Sequence, residues 1–552
     1  MGKKITALSN TEKIPGKTSG RRIAGGCLLL LVGLLIAVPR IFSENDMPQE
    51  TPPDKVFLEH ADELIFDRER NPDAQLLKGN VIFRHQTSYM YCDSAYFYEL
   101  SNSLEAFSNV RMEQGDTISI YGDYLFYDGN ISLAKLRDSV KMINNNVTLY
   151  TDSLNYDRAT NIGYYFDGGR VVDEENVLYS IFGRYSPDTK LAFFKDSVYL
   201  DNAKFDLYSD TLVYNTSTKM AHIVAYTTII SSDSSVIYSS SGWYDTERDL
   251  SVLMDRSVVW NESRSLIGDS ISYDKISGIG EAYGNVILND TVKRVILEGN
   301  YVFYDDLNKY AFATDRAMAV EYSQGDSIFL HADTISFREI DTLHREIKAF
   351  YGARFFKSDL QGVCDSMLYL SADSVLCMYY DPYVWSDRNQ ITGDSIHVFM
   401  NDSTINYAKV MSNAFSIEQY DTVFNQLRGL TLNAFFDEGE IRRIFVDGNA
   451  ESIYFPIDDK DGSLMGVNKT KSSYLSIELE NSKMKRLAFW PSPTGTMTPV
   501  DQADKSNKFF DNFNWNTEIR PLDKMDIFRD VEVPTDTTRQ MGRGKFQEYD
   551  DY

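Results

Sequence analysis

The glycines of Gly278-Ile-Gly-Glu-Ala-Tyr-Gly284 come close to a loop that cradles phosphate. A dinucleotide fingerprint needs G-x-G-x-x-G between a strand and a helix, so that helix amides meet the pyrophosphate. Here the third glycine falls one place late. The following Asn285-Val-Ile-Leu-Asn-Asp290 is short, β-branched and ended by turn residues, so it opens no helix. Gly16-Lys17-Thr18 mimics the end of a Walker A loop, but position 11 is Thr11 rather than glycine. The histidines (His60, His85, His222, His331, His344, His397) are scattered, with no H-x-x-x-H pair and no neighbouring cysteine, which argues against zinc. No G-x-S-x-G elbow exists. Two carboxylates would suffice for a glycosidase, and acids abound, but aspartates recurring at one repeated position point to scaffolding. No catalytic residue, metal or cofactor is expected, and the chain reads as a non-enzyme.

The bulk composition fits a packed, exported protein. Of 552 residues 43% are hydrophobic, enough for a core, and 13% are aromatic. The net charge of −26 argues against nucleic acid as a partner, since phosphate binding needs Lys and Arg. Residues 1–22 carry Lys3, Lys4, Lys13, Lys17, Arg21 and Arg22 against the single acid Glu12, and an apolar run follows from Ile23 to Val38. That order is an export signal, cleaved or kept as an anchor. Cys27 precedes the apolar run instead of following it, so a lipidation box is rejected. Cys364 and Cys377 are able to form one disulfide in an oxidising compartment, leaving Cys92 unpaired.

Self-similarity explains the opening glycines. The word "GEAYGNV" at 280–286 matches "LEAFSNV" at 104–110 and is echoed by "LLKGNV", "KLRDSV" and "FVDGNA". A second word, such as Asp152-Ser-Leu-Asn-Tyr156, has its lead at 62, 93, 123, 152, 181, 210, 240, 269, 300, 333, 365 and 394. Four residues on stands an aromatic in every unit but the last, where Val398 departs. A fixed period of about 30 residues marks a repeat architecture. Each unit reads as two strands. Tyr150, Asp152, Leu154 and Tyr156 alternate with Thr151, Ser153, Asn155 and Asp157, the latter set assigned outward. Turns fall at "EQGD" 113–116, "DRATN" 157–161, "NTSTK" 215–219 and "DDLNK" 305–309. The lead Asp is read as structural, capping a turn by an Asx bond. The expected fold is all-β, with roughly two dozen strands.

These residues resemble the OstA-like family of periplasmic lipopolysaccharide-transport proteins, most clearly at "ADELIFDRERNPDAQLLKGNVIF" (61–83), "CDSAYFYELSNSLEAFSNVRMEQGDTISIYGDYLFYD" (92–128) and "GDSISYDKISGIGEAYGNVIL" (268–288). The chain is much longer than the short bridge proteins of that family and resembles a fused or extended version. The resemblance implies two-strand units folded into a V-shaped, jellyroll-like β-trough that carries lipopolysaccharide acyl chains toward the outer membrane. It also implies partners: an inner-membrane transporter, an outer-membrane barrel and, through open sheet edges, further copies. The inner face expected to hold acyl chains comprises Leu64, Phe66, Phe97, Leu125, Tyr127, Leu154, Tyr156, Leu212, Tyr214, Ile271, Tyr273, Val302, Tyr304, Ile335 and Phe337. The plan is a signal or anchor over 1–43, a linker over 44–54, a trough over 55–310, its continuation or a second trough over 311–490, and a linker with a largely irregular tail over 491–552. The alternatives are an exported β-repeat that binds carbohydrate or protein, a transmembrane β-barrel and a glycosidase. Aromatic and polar residues grouped on one exposed face would distinguish a carbohydrate binder, whereas residues such as Thr151, Ser153 and Asp157 are too polar for a barrel's lipid face.

Overall fold

The repeated words meet at a bend in the middle of the long strands. In the computed structural model, which describes residues 55–531 apart from 70, 175, 323–325, 342–343, 402–403, 438–439, 459–461 and 481–482, the "GNV" word is where two consecutive residues turn left-handed. Ser108 and Asn109 have φ of 63° and 48°, and Gly79–Asn80, Asp138–Ser139, Gly284–Asn285, Ser412–Asn413 and Gly448–Asn449 do the same. Glycine, Asn and Asp populate this region because they carry no penalty or bond locally to offset it. Across the ladder Phe107 pairs with Tyr124 and Val110 with Gly122, so two residues of one strand oppose the single Asp123 of its neighbour.

That opposing residue is the lead position of the second word. Its carboxylate accepts from the bend asparagine one strand away: Asn109 to Asp93 at 2.7 Å, Asn80 to Asp62 at 2.9 Å, Asn285 to Asp269 at 3.0 Å and Asn413 to Asp394 at 3.0 Å. The Asx turns belong instead to the residue after the aromatic, as when Asp157 accepts from Ala159 at 2.9 Å or Asn215 from Ser217 at 2.9 Å. The lead Asp thus holds a bend, not a turn.

The bend divides a continuous antiparallel meander into two walls. Several strands break there outright: Val147–Asp157 pairs through one half with Ile162–Tyr165 and through the other with Gly169–Asp173. The bend also switches the inward parity of the lead strand. In Ile118–Asp128 the inward residues are Ile118, Ile120 and Gly122, then Leu125 and Tyr127. This corrects the outward assignment of Thr151, which turns inward, whereas Ser153 and Asn155 keep the outward parity but are buried there too. Thr151 donates to the Gly168 carbonyl at 2.8 Å across the break, and Arg137 donates to Asn155 at 3.0 Å. The turns at 113–116, 157–161, 215–219 and 305–309 fall between strands as expected. The signal or anchor over 1–43, the linker over 44–54 and the end of the tail, 532–552, lie outside the described residues.

Residues 500–531 form a segment that the repeat pattern does not contain. It begins with a single helical turn, Lys505–Lys508, capped by Asp504, and then runs across the outer face of the second wall. Phe510 packs with Phe415, Ile417, Ile453 and Phe455; Ile519 packs with Val363, Tyr383 and Trp385; Phe528 meets His331 at 4.5 Å. Cys92, Cys364 and Cys377 are all free and buried, with Cys364 and Cys377 on different walls, so the disulfide considered above does not form.

The bend should be a quantifiable unit of stability. Asn109→Ala should cost about 1–2 kcal/mol by placing alanine in the left-handed region and losing the bond to Asp93. Asn109→Gly should cost about half as much, because only the bond is lost. Chemical denaturation of both variants measures the difference.

Candidate functional site

The two walls enclose a lengthwise apolar interior, and it changes character along the chain. From Leu77 to Leu253 it is sealed. Leu77, Leu104, Met112, Ile120, Leu136, Leu207 and Leu253 have no appreciable exposure. Of the predicted stripe, Phe97, Leu125, Tyr127, Leu154, Tyr156, Leu212 and Tyr214 all lie in this dry core. A cavity of about 20 Å³ lies there between Met142, Leu149, Tyr165, Val171, Tyr185 and Phe194. It is the size of a water, against the ~300–1,000 Å³ of a ligand pocket. Tyr165 fills the space beside it so closely that a Cβ on Gly183 would lie 2.3 Å from its ring.

The mouth of this part is closed by the aromatics four residues after each lead. They reach across to the facing wall. Tyr127 hydrogen-bonds Nδ1 of His85 at 2.6 Å, and the buried Arg158 donates to the Tyr127 hydroxyl at 2.5 Å. Asn144 donates to Tyr185 at 3.1 Å, and Asn176 donates to Tyr214 at 3.0 Å. Tyr214 in turn donates to Asp173 at 3.1 Å, whose charge Lys219 neutralises at 2.6 Å. Tyr244 meets Phe205 edge-on at 4.8 Å. Burial pushes the Tyr165 phenol up to about 12 and raises Tyr214 and Tyr244 further, with aspartate neighbours adding to the last two.

Beyond Arg264 the lips are less tightly covered. Residues next to the bend stay buried, among them Ile271, Val302 and Ile335, while the lip residues Tyr273, Tyr304 and Phe337 become half-buried. Glu339 receives Lys293 and Arg264 from the facing wall, the latter at 3.6 Å. Further on, the two inner faces differ in kind. The first wall presents Ala408, Leu432, Ile444, Val446, Leu475, Ile477 and Phe489. Leu487 at its lip is 38% exposed. The second wall presents Ser416, Asn425, Ser452, Asn468 and Thr470 around Leu427 and Tyr454, on the alternation that starts from Ala414 and Ala450 at the bend. Inner faces of which one is apolar and the other carries hydroxyls and amides can hold an amphiphile along their length.

Leu64 and Phe66 stand apart from both regions. Leu64 lies on the edge strand Glu63–Ile65 opposite Leu77, and with Phe66 just beyond it is about half exposed, at 55% and 50%. They mark the open N-terminal end of the interior. The polar wall near the C-terminus was missed from sequence. Its signal is that the residues following the later bend words are Ser, Asn and Thr where earlier units have Met, Ile and Phe. Among the described residues no cluster of three or more His, Cys, Asp or Glu is placed to hold a metal ion, and no helix is long and apolar enough to cross a membrane.

Residues 53–210 match the family model described as OstA-like protein. A solved structure that also matches is LptH, the LptA-homologous periplasmic component of the lipopolysaccharide transport device of Pseudomonas aeruginosa. It is 13% identical, with a TM-score of 0.20, and the match covers 25% of this chain and 95% of that one. No curated protein matches the sequence.

Two outcomes follow from the sealed region. Leu154→Ala should cost about 2–5 kcal/mol in denaturation, as a cavity in a dry core. The folded tyrosines ionise later than unfolded ones, so stability is intact below about pH 10 and falls as pH rises through the folded values. Tyrosinate absorbance should therefore rise together with the loss of β-structure, with a fraction of the phenols delayed until unfolding.

Proposed function

We propose, from the OstA-like region at residues 53–210 and the open two-faced groove beyond Arg264, that this chain is a non-enzymatic lipid conduit or bridge of the periplasm. It takes the acyl chains of lipopolysaccharide or a related glycolipid onto its apolar inner face and passes them toward the outer membrane. The observation that carries the reading is the groove itself, with Ile444, Ile477, Leu487 and Phe489 facing Ser452, Asn468 and Thr470. Acyl chains bind such a surface without any directional bond, at about 0.8 kcal/mol per buried methylene, so a dozen methylenes supply about 10 kcal/mol. A stripe of similar aliphatic side chains also lets a chain slide with little change in energy.

The sealed part bears on the direction of traffic. Its cross-mouth hydrogen bonds contribute on the order of 1 kcal/mol each, while parting the walls there exposes a whole dry core. Cargo therefore enters the open part first. The six predicted residues in that part, Ile271, Tyr273, Val302, Tyr304, Ile335 and Phe337, are the proposed contacts from the original stripe, and those of the sealed part line the path only once the mouth separates. The edge strands suit strand addition with an inner-membrane transporter, an outer-membrane barrel or a further copy. Phe57–His60 and Glu63–Ile65 pair on one side only, as does Lys483–Trp490 at the other end. Energy for transport comes from a partner.

Photo-cross-linking tests this in the full chain, exported in a lipopolysaccharide-producing host. A photoreactive residue at Phe489, on the inner face, should give lipopolysaccharide adducts, whereas one at Trp490, on the outer face and 40% exposed, should not. Equal labelling, or no labelling at 489 in folded protein, contradicts the reading.

A further inference from the structure

The outer face of the second wall carries an unbroken cross-strand row that the lipid reading does not use. Tyr91, Tyr121, Tyr150, Tyr179, Tyr208 and Tyr238 each stand two residues before a lead, in six successive units. The register places them in one line, bridged by Arg111, Lys141, Arg170, Tyr199 and Thr228 as the directly opposed residues of the intervening strands. At ~4.8 Å per strand this row is roughly 48 Å long. Its cations lie on its rings: Arg111 is 4.2 Å from the Tyr91 centroid, and Lys141 and Arg170 flank Tyr150 at 5.7 and 5.6 Å. Tyr179, Tyr199 and Tyr208 stack at 5.8 and 4.9 Å. The phenols remain open to water, with Tyr150 40% and Tyr208 45% exposed. Beside the row, toward the bend, runs the line of exposed lead carboxylates Asp93, Asp123, Asp152 and Asp210.

The same row continues across the sheet into Val363, Tyr383, Phe415 and Arg428, and there the chain's own C-terminal segment covers it. That cover is a polypeptide read through its backbone. Gln390 donates to the Asn514 carbonyl at 2.7 Å and accepts from the Asn516 amide at 2.8 Å, and Gln426 does the same with Lys508 and Phe510 at 2.8 and 3.0 Å. In the uncovered part the corresponding neighbours of the row are Glu113, Ser119, Ile143, Thr148, Val172 and Asp201, none of them a primary amide. Backbone-reading groups are missing where aromatic rings, spaced cations and acceptor carboxylates are concentrated. Nucleic acid does not suit the surface, because its dense phosphates would meet the aspartate line with only three cations to offset it.

We propose that the tyrosine row from Tyr91 to Tyr238 is a docking surface for a saccharide chain that carries spaced anionic groups. Sugar rings and hydroxyls lie against the phenols and lead carboxylates, and the anionic groups pair with Arg111, Lys141 and Arg170. The proposal stands independently of the lipid groove, which faces the opposite side of the wall.

Oligogalacturonate, a carboxylated glycan free of lipid, is the probe, titrated onto the full chain in detergent. Neutral dextran and a synthetic peptide of residues 505–531 are run beside it. Oligogalacturonate should bind saturably and dextran more weakly. Tyr150→Thr with Tyr179→Thr should weaken binding at least tenfold with an unchanged melting transition, since threonine suits a strand. Arg170→Gln should weaken it and flatten its salt dependence, while Tyr420→Thr, an exposed tyrosine off the row, should change nothing. The absence of saturable binding, equal binding by the row variants, equal affinity for dextran, or preference for the peptide would each overturn the proposal.

Discussion

A pair of left-handed residues, held by one aspartate from the neighbouring strand, is the constraint on which this structure rests. Each strand that carries the bend word enters as part of one wall, turns through a pair such as Gly-Asn, Ser-Asn or Asp-Ser, and leaves as part of the other. The bond from the bend asparagine to the lead aspartate fixes which residues face each other across the ladder. Because side chains alternate with period two, a one-residue error there would turn every following side chain to the wrong face. The repeat length therefore follows from geometry: two strands that cross the bend and two tight turns per unit, with a lead word and a bend word meeting at each bend.

Given that bend, the interior is decided at the lips. Next to the bend, among the described residues, the inward side chains from Leu77 to Leu475 belong to one buried cluster. At the lips the outcome depends on what faces the aromatic. Where Tyr127, Tyr185 and Tyr214 find His85, Asn144 and Asn176 opposite, phenol and partner satisfy one another and the mouth shuts over a dry core. In the later part the lip aromatics Tyr273, Tyr304 and Phe337 are only half-buried. The C-terminal segment acts on the other side of the same wall. It covers Phe415, Ile417, Ile453 and Trp385, which would otherwise expose a large apolar patch, so the open part keeps a polar inner and a protected outer face.

Strand character, turn positions and the inward aliphatic two residues after each lead were legible in the sequence, because period-two alternation and Asn/Asp-rich turns are local. The bend was not. "GNV" reads as punctuation until its left-handed pair is seen opposite a single residue, and the resulting change of parity is why Thr151 turns inward against its alternation. The sealed and open parts were also indistinguishable, since both carry the same aliphatic and aromatic pair in the lead strand. The difference lies in partners such as His85 and Asn176, about forty residues distant in the chain. The tyrosines two residues before the lead were present in plain order, but nothing local says that such a row is outward. The C-terminal segment has no period at all, and its aromatics are explained only by the face they cover.

Cysteine accessibility along the inner face tests the central claim most directly, namely that one bent sheet is sealed in its first part and open in its later part. In a background with the four native cysteines replaced by alanine, single cysteines at Met112, Leu207, Ile477 and Leu487 would be alkylated in the folded chain and followed by mass spectrometry. The account predicts no reaction at 112 and 207 until denaturant is added, and rapid reaction at 487 with intermediate reaction at 477. Uniform protection at all four positions, or uniform reactivity, would contradict it.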